Sequence, residues 1–223
     1  MTYRDKLQYL LVRKLRIANK EAKQLIGAGA IIVNNTIVFD NVIVLVTDSV
    51  SYNNIIVQEP KEMLYIALYK PRGIETTLNE TISDNLKAQL PFDEKLFPVG
   101  RLDKESEGLL LMTNDGDLFN KITKPGSQIE KEYIVTVDKP IDENFVARMS
   151  NGIEIMGQLT LPCKVKPIDD YTFRIILTQG LNRQIRRMCY KLNYEVLTLK
   201  RIRIDNVLLG DLKSGEYKKL DQL

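Results

Sequence analysis

Apolar positions in the chain follow two different rhythms. Near the start, Leu7, Leu10, Leu11 and Leu15 recur at helical spacing. A second helix is expected after Asn19, an N-cap for Lys20-Glu21-Ala22-Lys23-Gln24-Leu25-Ile26, with Gly27 and Gly29 ending it. Ile31-Ile32-Val33 and Thr36-Ile37-Val38 flank Asn34-Asn35 and read as a hairpin. Asp48 to Glu62 reads as a last strand and a linker, with Pro60 and Lys61 at the boundary. Residues 1–60 are therefore expected to form one small domain with its linker, and residues 61–223 a second.

From Met63 the rhythm shortens. Leu64 to Tyr69 reads as a strand that ends in the turn Lys70-Pro71-Arg72-Gly73. Thr81 to Leu90 is expected to be a helix, followed by Pro91. Leu109-Leu110-Leu111-Met112 is a buried strand, and Leu118 to Thr123 a helix. Glu132 to Val137 alternates with period two, as a half-buried strand does. Asp142 caps a helix through Met149; Thr160–Val165 and Tyr171–Thr178 are strands, Asn182–Leu192 a short helix and Tyr194–Ile204 a strand. Strands and helices in this irregular order predict an α+β fold with a mixed, mainly antiparallel sheet flanked by helices.

Composition then removes several chemistries. The 223 residues allow one large domain or two small ones, and 44% hydrophobic content supplies a core. No apolar run reaches membrane-spanning length, and the polar start MTYRDKLQYLLVRK is unlike a signal peptide, so a cytoplasmic location is expected. Cys163 and Cys189 lie far apart without metal-ligand spacing and read as reduced thiols. The chain has no histidine, which excludes histidine bases, Ser-His-Asp triads and most zinc sites. It has no tryptophan either, so base stacking would fall to Tyr or Phe.

The formal charge is only +3, so clustering matters more than the total. The first two helices carry Arg4, Lys6, Arg13, Lys14, Arg16, Lys20 and Lys23 against Asp5 and Glu21. A second cluster lies in QGLNRQIRRMC, where Arg183 and Arg187 share a helix face and Arg186 points elsewhere. Lys200, Arg201 and Arg203 extend it along the next strand. Such arginines suit bidentate contacts to phosphate or carboxylate; the alternative is an ion-pair network with acids such as Glu195 and Asp205. Between the clusters, Gly100-Arg101-Leu102-Asp103 puts a carboxylate on a turn before the buried strand, where rigid structure can hold it open to a cleft. A turn-capping aspartate is the alternative. Asp115 and Asp117, around Gly116, suit turn and helix-cap duty instead.

These motifs carry two resemblances. The helix pair with its Gly-Ala-Ile-Ile-Val-Asn-Asn hairpin resembles the small RNA-binding domain first described in ribosomal protein S-four. The set Lys70-Pro71-Arg72-Gly73, Gly100-Arg101-Leu102-Asp103 with Glu107-Gly108-Leu109-Leu110, Glu130-Lys131-Glu132-Tyr133 and Asn182 to Met188 resembles the RsuA-type branch of the pseudouridine synthases.

The second resemblance implies isomerisation of uridine to pseudouridine in ribosomal RNA, of the large subunit, with small-subunit RNA and tRNA as alternative substrates. It implies no metal, no cofactor, no membrane partner and a monomer. Asp103 takes the place of the essential aspartate and Arg186 that of the basic residue paired with it. Tyr133 takes that of the tyrosine stacked on the target base, and Arg101 that of a residue helping to displace the uridine. Lys70, Arg183 and Arg187, with Arg4, Lys20 and Lys23 in the first domain, are implied RNA contacts. A non-catalytic RNA-binding or ribosome-assembly protein, and a nucleoside hydrolase, are the competing readings. The Asp103, Tyr133 and Arg186 set argues against the first, and the S-four-like module against the second.

Overall fold

The computed structural model describes residues 4–87, 96–124 and 126–221. The chain divides into two compact units, one of Met1–Met63 with Asp115–Asp117 and one of Leu64–Asn114 with Leu118–Leu223.

The first unit runs β1 (Arg4–Lys6), α1 (Leu7–Leu15), α2 (Asn19–Gly27), β2 (Ile31–Val33), β3 (Thr36–Val38), β4 (Ile43–Leu45), β5 (Val50–Tyr52) and β6 (Ile55–Gln58). Leu7, Leu10 and Leu11 from α1 and Ala22 and Ile26 from α2 pack with Ile31, Val44 and Val50 into one core. Asn19 is the first residue of α2 and not its cap; Ala18 precedes the helix, and the Asn19 side chain accepts from Gln8 Nε2 at 3.2 Å. The β2–β3 turn is as expected: Asn34 and Asn35 take φ of 47° and 63°, the left-handed pair that a two-residue hairpin requires. Asn53 and Asn54 repeat this geometry between β5 and β6, a second hairpin where the sequence had suggested a strand and linker.

The second unit contains β7 (Tyr65–Lys70), β8 (Phe97–Val99), β9 (Glu107–Thr113), α3 (Gly116–Thr123) from Leu118 onward, and β10 (Lys131–Val137). Next come α4 (Glu143–Asn151), β11 (Glu154–Ile155), β12 (Gln158–Leu159), β13 (Lys164–Pro167) and β14 (Thr172–Leu177). The chain then forms α5 (Gln184–Lys191), β15 (Val196–Ile204), β16 (Val207–Leu208) and β17 (Tyr217–Leu220). One sheet takes the order β13-β14-β10-β15-β9-β7-β17, with β16 beside β15 and β8 beside β9. All its pairings are antiparallel except β15 with β9, so the sheet is mixed and mainly antiparallel, as the sequence predicted.

The apolar run in β9 is continuous because both of its faces are covered. Leu109 and Leu111 pack with Ala67, Tyr69, Leu118 and Ile122, while Leu110 and Met112 pack with Ile66, Leu68, Leu86 and Leu96. The third core joins Tyr133, Val135 and Val137 of β10 to Phe145 and Met149 of α4 and to Ile185, Met188 and Cys189 of α5. Asp142 caps α4, its Oδ1 accepting from the Phe145 N–H at 2.6 Å.

Two expectations need correction or restriction, and the structure adds elements the sequence reading did not assign. Residues 81–86 form turns, bends and an isolated bridge from Asn85 to Glu75 rather than α-helix, only Lys87 has 3-10 geometry, and the rest of the expected Thr81–Leu90 helix and Pro91 lie outside the described residues. The strand expected at Thr160–Val165 begins only at Lys164, because the Thr160 hydroxyl and N–H are engaged by Ile153. The chain after Ile204 adds two strands, β16 and β17.

Candidate active site

The turn that carries Asp103 is built by backbone geometry and then clamped. Gly100 has φ +77°, a left-handed conformation that costs glycine little. Asp103 accepts from the Ser106 N–H at 3.0 Å through its own carbonyl, closing the turn. Thr76 Oγ1 donates to the Leu102 carbonyl at 2.6 Å and lies 3.1 Å from the Leu102 N–H. The Gly73 N–H reaches the Lys104 carbonyl at 2.7 Å, so the Lys70–Gly73 turn buttresses the carboxylate loop. Leu102 and Ser106 are buried, Asp103 is half-buried and Arg101 is exposed.

Register places a row of side chains under this loop. Lys70 pairs with Gly108, Gly108 with Arg201, Arg201 with Tyr133 and Tyr133 with Ile175, so all five stand on one face of the sheet. A Cβ on Gly108, at φ +102°, would lie 2.2 Å from the Arg201 carbonyl oxygen. A bulge in β15 decides which arginine enters the row. Glu132 pairs with Arg203 but Tyr133 with Arg201, so Ile202 is the extra residue. Arg201 and Arg203, two apart, therefore point to opposite faces. Arg203 binds Glu132 at 2.6 Å and Glu130 at 2.8 Å, whereas Arg201 turns inward and is 3% exposed. The expected basic stripe of Lys200, Arg201 and Arg203 is thus split, and the acids that hold Arg203 are Glu130 and Glu132. Glu195 is not among them, and Asp205 contributes only its backbone carbonyl.

A cleft of about 670 Å³ opens over this row. Asp103, Arg101, Lys131, Tyr133, Arg183, Arg186 and Arg201 all line it. Gly100 to Asp103 and Ser106 form one wall, and Asn182 to Arg186 at the start of α5 form another.

Arg186 does not ion-pair with Asp103, whose carboxylate has no cationic nitrogen within 4.0 Å among the described residues. Arg186 instead donates to the Val196 carbonyl at 3.0 Å and the Glu105 carbonyl at 3.1 Å, tying α5 to the carboxylate loop. Its Nε is buried without an acceptor. Burial and then the charge of Arg183 pull its pKa down, while Glu105 and Asp103 pull it up. Arg183 takes a left-handed φ of 52° ahead of α5 and binds Glu105 at 2.8 Å. That contact, then a backbone hydrogen bond to the carboxylate and the charges of Arg183 and Arg186, outweigh desolvation and leave the Glu105 carboxyl below its usual range. Arg187 bonds the Asn182 carbonyl and Oδ1 and stays exposed.

Lys70 cannot be the RNA contact suggested for it. It is 0% exposed, with Nζ donating to the Pro71 and Ile74 carbonyls at 2.8 and 2.6 Å. Burial pushes its pKa down to about 8, against the pull of Asp103. In the first unit Lys20 and Lys23 are exposed, Arg4 pairs with Leu45 between β1 and β4, and the Arg4 side chain lies outside the described residues. Tyr133 is 8% exposed and faces the same way as Val135, as alternation predicts. Thr76 and Ser106 were not singled out from sequence, and Lys131 was quoted within the Glu130–Tyr133 motif but given no role. Only Lys131 had a signal, two residues from Tyr133 on the same strand face.

A carboxylate on a clamped loop, an aromatic ring and several cations around one cleft suit work on a nucleotide. Residues 64–191 match the RNA pseudouridylate synthase family, and the chain belongs to it. The dual-specificity RNA pseudouridine synthase RluF of Escherichia coli (strain K12) is 50% identical over 163 residues, covering 73% of this chain and 56% of that protein. The chain thus spans little more than half the length of that relative. The ribosomal large subunit pseudouridine synthase B of Bacillus subtilis (strain 168) is 30% identical, covering 97% of this chain and 92% of its own. A crystal structure of a pseudouridylate synthase has a TM-score of 0.68 at 29% identity, covering 96% of this chain and 95% of its own.

Proposed function

We propose that this chain converts uridine to pseudouridine in ribosomal RNA of the large subunit, with Asp103 as the catalytic carboxylate. The observation that carries the reading is the placement of Asp103 on a clamped loop in the same cleft as the Tyr133 ring. In the reaction the N1–C1′ bond of uridine breaks, the base turns, and C5 joins C1′. The C5 proton leaves and N1 takes one up, so the change is an isomerisation. Bond breaking puts positive character on the ribose, and an ionised carboxylate beside it is stabilising, as in glycosidases. Tyr133 stacks on the base. Reaching C1′ and C5 requires the nucleotide out of its helix, and the exposed Arg101 at the cleft mouth is placed to fill the gap. Closing the cleft around the nucleotide keeps water from the sugar.

Residues 1–60 act as an RNA-binding module through Lys20, Lys23 and Arg4, and Arg183 and Arg187 hold backbone phosphates at the cleft. The large-subunit assignment draws on the name of the Bacillus subtilis relative. The RluF name adds a second RNA to those worth assaying. The protein works as a monomer in the cytoplasm.

The test is an assay of labelled 23S, 16S and tRNA transcripts for pseudouridine with wild type and Asp103→Asn. The wild type should modify 23S RNA and the variant should fall below detection. Equal product from both would remove Asp103 from the chemistry.

A further inference from the structure

Whatever Asp103 does at the sugar, the electron pair of the N1–C1′ bond stays with N1. Uracil therefore leaves as an anion, with charge spread to O2 and O4. Asp103 answers the positive character of the ribose, and a second group must answer the negative charge of the base and hold it while it turns.

Two cations meet this need on the cleft floor. Lys131 is two residues before Tyr133 on β10, on the same face, and both line the cleft. Its Nζ donates to the Ile129 and Thr178 carbonyls at 3.0 and 3.2 Å, and no carboxylate lies within 4.0 Å among the described residues. Arg201 lines the same cleft opposite Tyr133. Its Nε donates to the Leu109 carbonyl at 2.7 Å, and Nη1 reaches the Arg101 carbonyl at 3.4 Å. Its Nη2 is buried without any acceptor. Desolvation and then the charge of Arg201 lower the Lys131 pKa, so the two cations feel each other. Holding a half-buried lysine beside a buried arginine without a counter-ion within 4.0 Å among the described residues is costly. It makes sense where an anion arrives during the reaction.

Building on the pseudouridine synthase reading, we propose that Lys131 and Arg201 form a subsite for the uracil anion, facing its carbonyl oxygens while Tyr133 stacks on the ring. The depth of the site favours the base over a backbone phosphate. Arg201 is 3% exposed and pairs across the strands with Tyr133, whereas Arg101 and Arg183 are exposed.

Single-turnover assays with a 23S transcript test this. Lys131→Met should lower the rate at saturating RNA by about 10²-fold, as loss of a donor to a developing oxyanion does. RNA affinity and its salt dependence should stay at wild-type values, and Lys131→Arg should recover much of the rate. Abasic sites should also appear, because a poorly held base escapes and water takes its place on C1′. Arg201→Lys should show the same pattern more weakly. If Lys131→Met melts before the assay temperature, Lys131→Gln, which keeps a donor for the two carbonyls without the charge, carries the same expectation. Weaker binding with a flatter salt slope and full rate at saturation would make Lys131 a phosphate contact and overturn the subsite. So would variants with wild-type rate and affinity. A wild type that makes no pseudouridine in any RNA overturns the reaction assignment as well, and so is told apart from failure of the subsite alone.

Discussion

Lys70 shows how a single residue can be read correctly as a cation and wrongly as a surface contact. Its charge is buried beneath the Asp103 loop, capped by two carbonyls, with a pKa lowered to about 8 from 10.5. Because the folded value lies below the unfolded one, native stability is greatest above the unfolded pKa. It declines as pH falls from about 10.5 to about 8, while the unfolded chain takes up the proton first, and the decline is complete below that window. Urea midpoints measured from pH 7 to 10.5 should therefore rise with pH in the wild type relative to Lys70→Met. Parallel curves for the two proteins would show that the folded Lys70 titrates like a solvated lysine. The Lys-Pro-Arg-Gly turn was visible in the sequence. The burial of its lysine follows from the pairing of Lys70 with Gly108, a partner 38 residues away with no side chain to fill the space.

At the scale of the element, β9 and β15 make the site. Gly108 lets the two strands approach, and the bulge at Ile202 sends Arg201 inward while Arg203 stays with Glu130 and Glu132. Gly108→Ala adds a Cβ 2.2 Å from the Arg201 carbonyl oxygen at φ +102°. The neighbour is backbone and cannot swing away. The substitution should cost at least about 3 kcal/mol, combining conformational strain with the displacement of β15. On a chain of this size that lowers the melting temperature by roughly 6 °C or more, which a thermal scan would detect. The strands themselves were legible, because β9 is continuously apolar and β10 alternates. The bulge was not, since nothing in Lys200-Arg201-Ile202-Arg203 marks which residue lacks a partner. The expected Arg186–Asp103 pair failed for a related reason: α5 starts at Gln184 and its arginine spans to the Val196 and Glu105 carbonyls.

At the scale of the whole molecule, charge is distributed by unit. The first unit has its own core, and Lys20 and Lys23 stand exposed on α2 with no ion pair among the described residues. If they bind phosphates, the double substitution Lys20→Gln with Lys23→Gln should weaken RNA binding at low salt. It should also flatten the plot of log K against log salt by about 1.5, the value for two lost phosphate contacts. An unchanged slope would take both lysines out of the interface. No helix among the described residues is long and apolar enough to cross a membrane.

The sequence alone determined what is local or compositional. Missing histidine removed whole reaction classes. Apolar periodicity set most helices and strands, Asn34-Asn35 set a hairpin, and the resemblance of an ordered set of short motifs pointed to the family and singled out Asp103. Tertiary structure decided which charges face the cleft and which are spent on ion pairs or carbonyls. That choice depends on strand register, a one-residue bulge and a glycine contact, all of them made between residues distant in the chain. The cation of Lys70, the partners of Arg203 and the floor formed by Lys131 and Arg201 became visible only once β7, β9, β15 and β10 lay side by side.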